Sequence, residues 1–253
     1  MQENSGADIP GFRDLANLEF VDASVFVGAS DEEQAVCDFI LALALVYNDL
    51  KDLLWAFVEL KGRTPTEFKP NAQVGQLNGM REHSVRLLYA LHHELFQLIG
   101  KNPEPQGHQL FRNVLARVSS KARDHWARLV AAAAGKPKND PLAMILVRVR
   151  DDLAAHYYGT KTLGRGFGRQ YDGSGPWGRR LFVSRGVNII ASRFHFADGA
   201  AQGAMVILAD GKTKAEIGDR LGASTQDSLN AIFAIVTRFM EDRAGGWTKY
   251  EAD

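Results

Sequence analysis

Residues 30–62 read SDEEQAVCDFILALALVYNDLKDLLWAFVELKG, and this stretch sets the fold class. Ser30 is a helix-capping residue, and Asp31, Glu32 and Glu33 place negative charge on the first turn. Glu33 stands three positions after the cap, where a capping box closes. From there Val36, Phe39, Ile40, Leu43, Tyr47, Leu50, Leu53, Leu54 and Phe57 recur at three- and four-residue spacing, which is one face of a long helix. Gly62 is the expected stop. A stripe of this length must be covered by other helices.

Three more helices are expected beyond it. The second runs from near Pro70 to Gly100 with Val74, Leu77, Val85, Leu88, Leu91, Leu95, Leu98 and Ile99, and Gly75 and Gly79 weaken its first turns. Pro103 and Pro105 break the chain. A third carries Phe111, Val114, Leu115, Val118, Ala122, Trp126, Leu129 and Ala133 on one face and ends at Gly135. The fourth is bounded by an Asp140 cap, Pro141 at the first helical position and Gly159 after the last turn, with Leu142, Ile145, Leu146, Val149 and Leu153 as its stripe. The expected fold is mainly α: an antiparallel four-helix bundle over residues 31–159, behind an irregular lead-in at 1–30. Residues 160–253 form a C-terminal elaboration packed on the bundle. It starts with a glycine-rich loop over 159–178, continues with short strands at Leu181–Val183 and Asn188–Phe196, and ends in two helices, Lys214–Leu221 and Ser224 or Thr225 to Arg243.

The formal net charge is zero, yet the charges are unevenly spread. Residues 1–60 hold twelve acidic side chains against Arg13 and Lys51. Residues 161–193 hold seven basic ones against Asp172 alone. The imbalance fits a basic surface for an anionic partner, two oppositely charged faces that pair within or between subunits, or solvated surface charge. Cys37 is the only cysteine, so a disulfide framework within the chain is excluded, and its apolar neighbours mark it as a structural thiol. The polar start shows no secretory signal, and the longest apolar run, Phe39–Tyr47, is too short to span a bilayer. A soluble, cytoplasmic protein with no membrane partner is expected.

The stretch Val149-Arg150-Asp151-Asp152-Leu153-Ala154-Ala155-His156-Tyr157-Tyr158 closes the fourth helix. It resembles the signature of HEPN-domain proteins, in which an Arg, four to six variable residues and a His mark the active-site helix of a bundle of about four helices. Arg150, five intervening residues and His156 fit, with Asp151 in the polar position after the arginine. The resemblance covers residues 31–159. It implies metal-independent RNA cleavage of a toxin or host-defence kind, two protomers bringing their motifs together, and an antitoxin or defence-system partner. Arg150, His156 and Asp151 would be catalytic.

The side chains suit that chemistry. A histidine titrating near neutrality takes a proton from a ribose 2′-OH or returns one to the leaving oxygen. An arginine stabilises charge building on a phosphorane. On an ideal helix six positions separate Arg150 and His156 by roughly 120°, so the pair converges only by the reach of Arg150, a distorted last turn or a second protomer. A helix-end histidine with a structural role, in a non-catalytic scaffold or ligand-binding bundle, is the alternative. The segment after it offers Lys161, Arg165 and Arg169, with Tyr157 before them, as RNA contacts combining charge and rings. No phosphate-loop or dinucleotide fingerprint is present, and His92-His93-Glu94 lacks the spacing of a metal site, so neither metal nor cofactor is expected. Residues 210–243 superficially suit a helix-turn-helix, without basic residues at the start of the second helix.

Overall fold

The computed structural model describes residues 19–63, 71–134, 141–155, 161–174, 178–189, 192–209, 214–244 and 248–249. The protein is mainly helical, with two small antiparallel strand pairs. The long helices are α1 (Asp31–Arg63), α2 (Ala72–Lys101), α5 (Ser120–Ala134) and α9 (Lys214–Ala244). Between α2 and α5 lie α3 (Pro103–Gly107) and α4 (Gln109–Arg117). Helix α6 (Pro141–Val149) runs into a wide π-helical turn, Arg150–Ala155. Next come α7 (Thr162–Gln170), the strands β2 (Val183–Ser184) and β3 (Arg193–Phe194), and α8 (His195–Leu208).

Helix α1 begins as its sequence dictates. Glu33 N–H donates to Ser30 Oγ at 3.3 Å, while the Glu33 carboxylate accepts from Ala29 N–H at 3.1 Å, one residue before the usual capping-box partner. Val36, Cys37, Ile40, Leu43 and Leu50 are fully buried. Phe39 joins Phe111 of α4 and Trp126 of α5 in a ring cluster with centroids 5.6–6.4 Å apart. Helices α2 and α9 pack on α1, and α5 packs on both of them. Leu229, Ala231, Ile232, Ile235 and Phe239 of α9 lie in this same core, so the last long helix is part of the central packing. Strand β1 (Glu19–Phe20) pairs antiparallel with β4 (Thr248–Lys249), and Arg243 donates to Val27 O at 2.7 Å.

Four sequence expectations are overturned. The single third helix is broken at Val118–Ser119, where Ser119 Oγ accepts from Ala122 N–H at 3.2 Å. Arg123 covers the carbonyls left open at the end of α4, those of Ala116 and Val118. The two C-terminal helices are one, α9, which passes through Gly218 and Gly222 without interruption and removes the helix-turn-helix geometry. Residues 195–196 belong to α8 and not to a strand, leaving two strands of two residues each. The expected loop holds helix α7 in its middle.

The reason for that helix lies in its partner. Gly166 faces Gly203, Ala200 and Ala204 of α8, and a Cβ at Gly166 or Gly203 would collide with the opposing backbone. The glycines that weaken α7 in isolation let it pack backbone-on-backbone against α8, so tertiary contact overrides propensity. Gly164 and Gly168, on the other side of α7, meet nothing. Gly166→Ala or Gly203→Ala therefore lowers unfolding stability by about 1–3 kcal/mol through overpacking. Gly164→Ala raises it by about 0.4–1 kcal/mol, because it only restricts the unfolded chain. Urea melts of the three variants check the contrast.

Candidate functional site

The π-helical turn is where the sequence motif meets the fold. Arg150 opens it, at the point where the turn and α6 pack on α2. Its guanidinium Nη1 lies 2.9 Å from Asp151 Oδ1, and its Nε lies 3.5 Å from Glu94 Oε1 of α2. The Arg150 side chain is 37% exposed, so the charge is held by two carboxylates yet open to solvent on one side. Asp151, in the polar position of the motif, thus pairs with the arginine that precedes it. His156 and Tyr157 lie outside the described residues. A hydrogen bond from Thr162 Oγ1 to Asp152 Oδ2 at 2.9 Å links the described residues on either side of 156–160.

A second histidine stands near this turn. His93 of α2, set aside in the sequence with His92 and Glu94 as a poor metal motif, is nearly buried. Burial, and then the nearby Arg150 charge, hold its imidazole below the ordinary value of 6.5, against the opposing pull of Glu94 and Asp151. No linear signal marks this group, which is assembled by the packing of α6 and its turn on α2. No group of three or more His, Cys, Asp or Glu suited to a metal ion occurs among the described residues.

The other sequence-predicted contacts sit on α7 and just before it. Lys161 occupies the helix start in a left-handed conformation, φ 57°. Arg165 and Arg169 are exposed on the helix, four residues apart on one side. The Phe167 and Tyr171 rings meet nearby in a tilted contact with centroids 5.0 Å apart. Arg165 and Arg169 thus stand on a helix surface and not in a loop.

Two further constellations escaped the sequence reading. Ser184 Oγ lies 2.5 Å from His195 Nε2, and Arg193 donates to both Asp198 oxygens at 2.7 and 3.1 Å. Gly75 and Gly79 of α2 allow this: the His195 ring rests on the first and the Arg193 guanidinium on the second. Asp198 is committed to Arg193, so among the described residues no carboxylate orients the far nitrogen of His195, and the serine–histidine pair closes the β2–β3 hairpin onto α8. Separately, a cavity of about 660 Å³ opens among α1, α2, α7, α8 and α9. Phe57, Val85 and Met205 give it an apolar wall, and Arg81, nearly buried Glu82 and Asp219 give it charged groups.

Comparisons with protein-family models, with curated proteins and with solved structures each find no match to the chain. Among the described residues no helix is long and apolar enough to cross a membrane.

His92 and His93 also set a pH dependence. Burial is the main cause of the depressed value at both, and His92 Nδ1–H donates to Leu88 O at 2.8 Å in a fully buried position. A histidine whose folded value lies below its unfolded value of 6.5 is neutral when folded, so unfolding takes up protons as the pH falls. The stability is complete above pH 6.5 and is lost progressively below it. The thermal midpoint should drop between pH 7.5 and pH 5.5, and His93→Gln should make that drop shallower, as followed by circular dichroism.

Proposed function

We propose that the chain is an endoribonuclease of toxin or host-defence type, built on an HEPN-like four-helix bundle and cutting RNA at Arg150 and His156. The observation that carries the reading is the placement of Arg150. It heads a π-helical turn, a geometry frequent at functional sites, with a half-open guanidinium balanced by Glu94 and Asp151. A phosphate replaces those carboxylates without any change in the charge of the arginine. In the reaction the ribose 2′-oxygen bonds to phosphorus as His156 takes its proton. The bond to the 5′-oxygen then breaks, and that oxygen receives a proton, leaving a 2′,3′-cyclic phosphate. A homodimer supplies the second motif, and the exposed Lys161, Arg165 and Arg169 lead the strand towards the turn.

His156→Ala should cost about 10²–10⁴ in cleavage rate and Arg150→Ala about 10²–10³, with the fold intact by circular dichroism. Cleavage should persist in chelator and spare DNA, which lacks the attacking hydroxyl. Cleavage that chelator abolishes, or that proceeds equally on DNA, sinks the mechanism. On the binding side, losing two phosphate contacts from a single strand reduces the salt slope of log affinity by about 1.4. The Arg165→Ala/Arg169→Ala pair should show that change in a filter-binding titration, and an unchanged slope removes α7 from the RNA path.

A second reading is a non-catalytic, ligand-binding bundle, favoured by the 660 Å³ cavity with its apolar wall and charged groups. It predicts no RNA cleavage by the parent protein, so the same assay separates the two.

A further inference from the structure

The β2–β3 hairpin turns apolar side chains outward at its tip. Val187 is 101% exposed and Ile189 90%, whereas Val36, Ile40 and Leu43 of α1 are fully buried. Internal bonds hold the tip in shape. Ser192 Oγ accepts from Gly186 N–H at 3.2 Å and donates to Asn188 O at 2.9 Å, and Ser192 N–H donates to Ile189 O at 3.2 Å. The two aliphatic side chains are therefore displayed by a bonded turn. At the base, Phe194 is 66% exposed.

The hairpin's own segment carries charge of one sign. No Asp or Glu occurs from residue 173 to residue 197. Arg180 and Arg185 are exposed, while Arg193 is withdrawn into its pair with Asp198. Convex aliphatic groups flanked by guanidinium groups match one kind of partner best. An RNA satisfies the arginines but gives Val187 and Ile189 nothing, since bases stack on flat rings. A protein partner requires a matching groove for two side chains standing on a projecting turn. A bilayer with anionic headgroups satisfies both: its acyl boundary takes the aliphatic tip and its phosphates take the arginines, the two signals that stable peripheral binding needs.

We propose that the β2–β3 hairpin docks the protein on an anionic lipid surface, with Val187 and Ile189 entering the acyl boundary and Arg180 and Arg185 against the headgroups. The expectation of no membrane partner rests on the shortness of the apolar runs, and peripheral docking needs no spanning helix. This inference stands apart from the ribonuclease reading.

The test is co-sedimentation of the full chain with phosphatidylcholine vesicles, with and without phosphatidylserine. Binding should require phosphatidylserine and weaken at raised salt. Val187→Asp/Ile189→Asp should reduce it about tenfold or more, since both apolar groups must then stay in water. Arg180→Ala/Arg185→Ala should reduce it on anionic vesicles. All four positions are exposed, so circular dichroism should be unchanged. A Val187→Trp probe should shift its emission to the blue on anionic vesicles only. The proposal is overturned if vesicles fail to bind, if the Asp pair binds as the parent does, or if the tryptophan emission stays put. It is equally overturned if the vesicles fail while the Arg pair weakens single-stranded RNA binding, or while the Asp pair changes the mass in light scattering. Those two results assign the hairpin to RNA or to a second copy of the chain.

Discussion

The requirement that shapes this molecule is the covering of α1. Its stripe from Val36 to Leu50 reaches zero exposure at five positions, and no single neighbouring helix achieves that. Helix α2 takes one side, α9 another, and the Phe39–Phe111–Trp126 cluster brings in α4 and α5. Each large side chain fully buried contributes about 1.5–3 kcal/mol before the entropy of ordering it is subtracted. The site at Arg150 inherits this order. Its turn leans on α2, and α2 is positioned by α1.

Missing side chains form a second level of organisation. Helix α8 and the hairpin before it are seated by glycines: His195 on Gly75, Arg193 on Gly79, Tyr171 on Gly199, and α7 on α8 through Gly166 and Gly203. Close approach of this kind costs helix propensity in each segment alone. It is recovered only when both surfaces are present, so α7, α8 and the start of α2 depend on one another more than on their own sequences.

That dependence explains what could be read in advance. Helix α1, its cap, the apolar stripe of α2 and the Pro141 start of α6 carry local signals, and they appear where those signals stand. Helix α7 has none, because three of its nine residues are glycines and its stabilising surface is 30 to 40 residues further along. Helix α9 reads as two helices because Gly222, followed by the capping types Ser224 and Thr225, mimics a turn, whereas burial of Leu221 and Leu229 carries the helix through. At the site Arg150 and Asp151 were legible from a linear pattern. His93 and Glu94 were not, since only the packing of α6 on α2 brings them to Arg150.

The pairing of α1 with α9 has a consequence for biosynthesis. A chain made from its amino end at about 5–20 residues per second exposes the α1 stripe on the order of ten seconds before α9 has been translated. Helix α2 shields part of it early, but Phe39 waits for Phe111 and Trp126, which are encoded later. The nascent chain therefore presents an aliphatic and aromatic surface of the kind that holdase chaperones capture, and folding is completed by the last long helix to emerge.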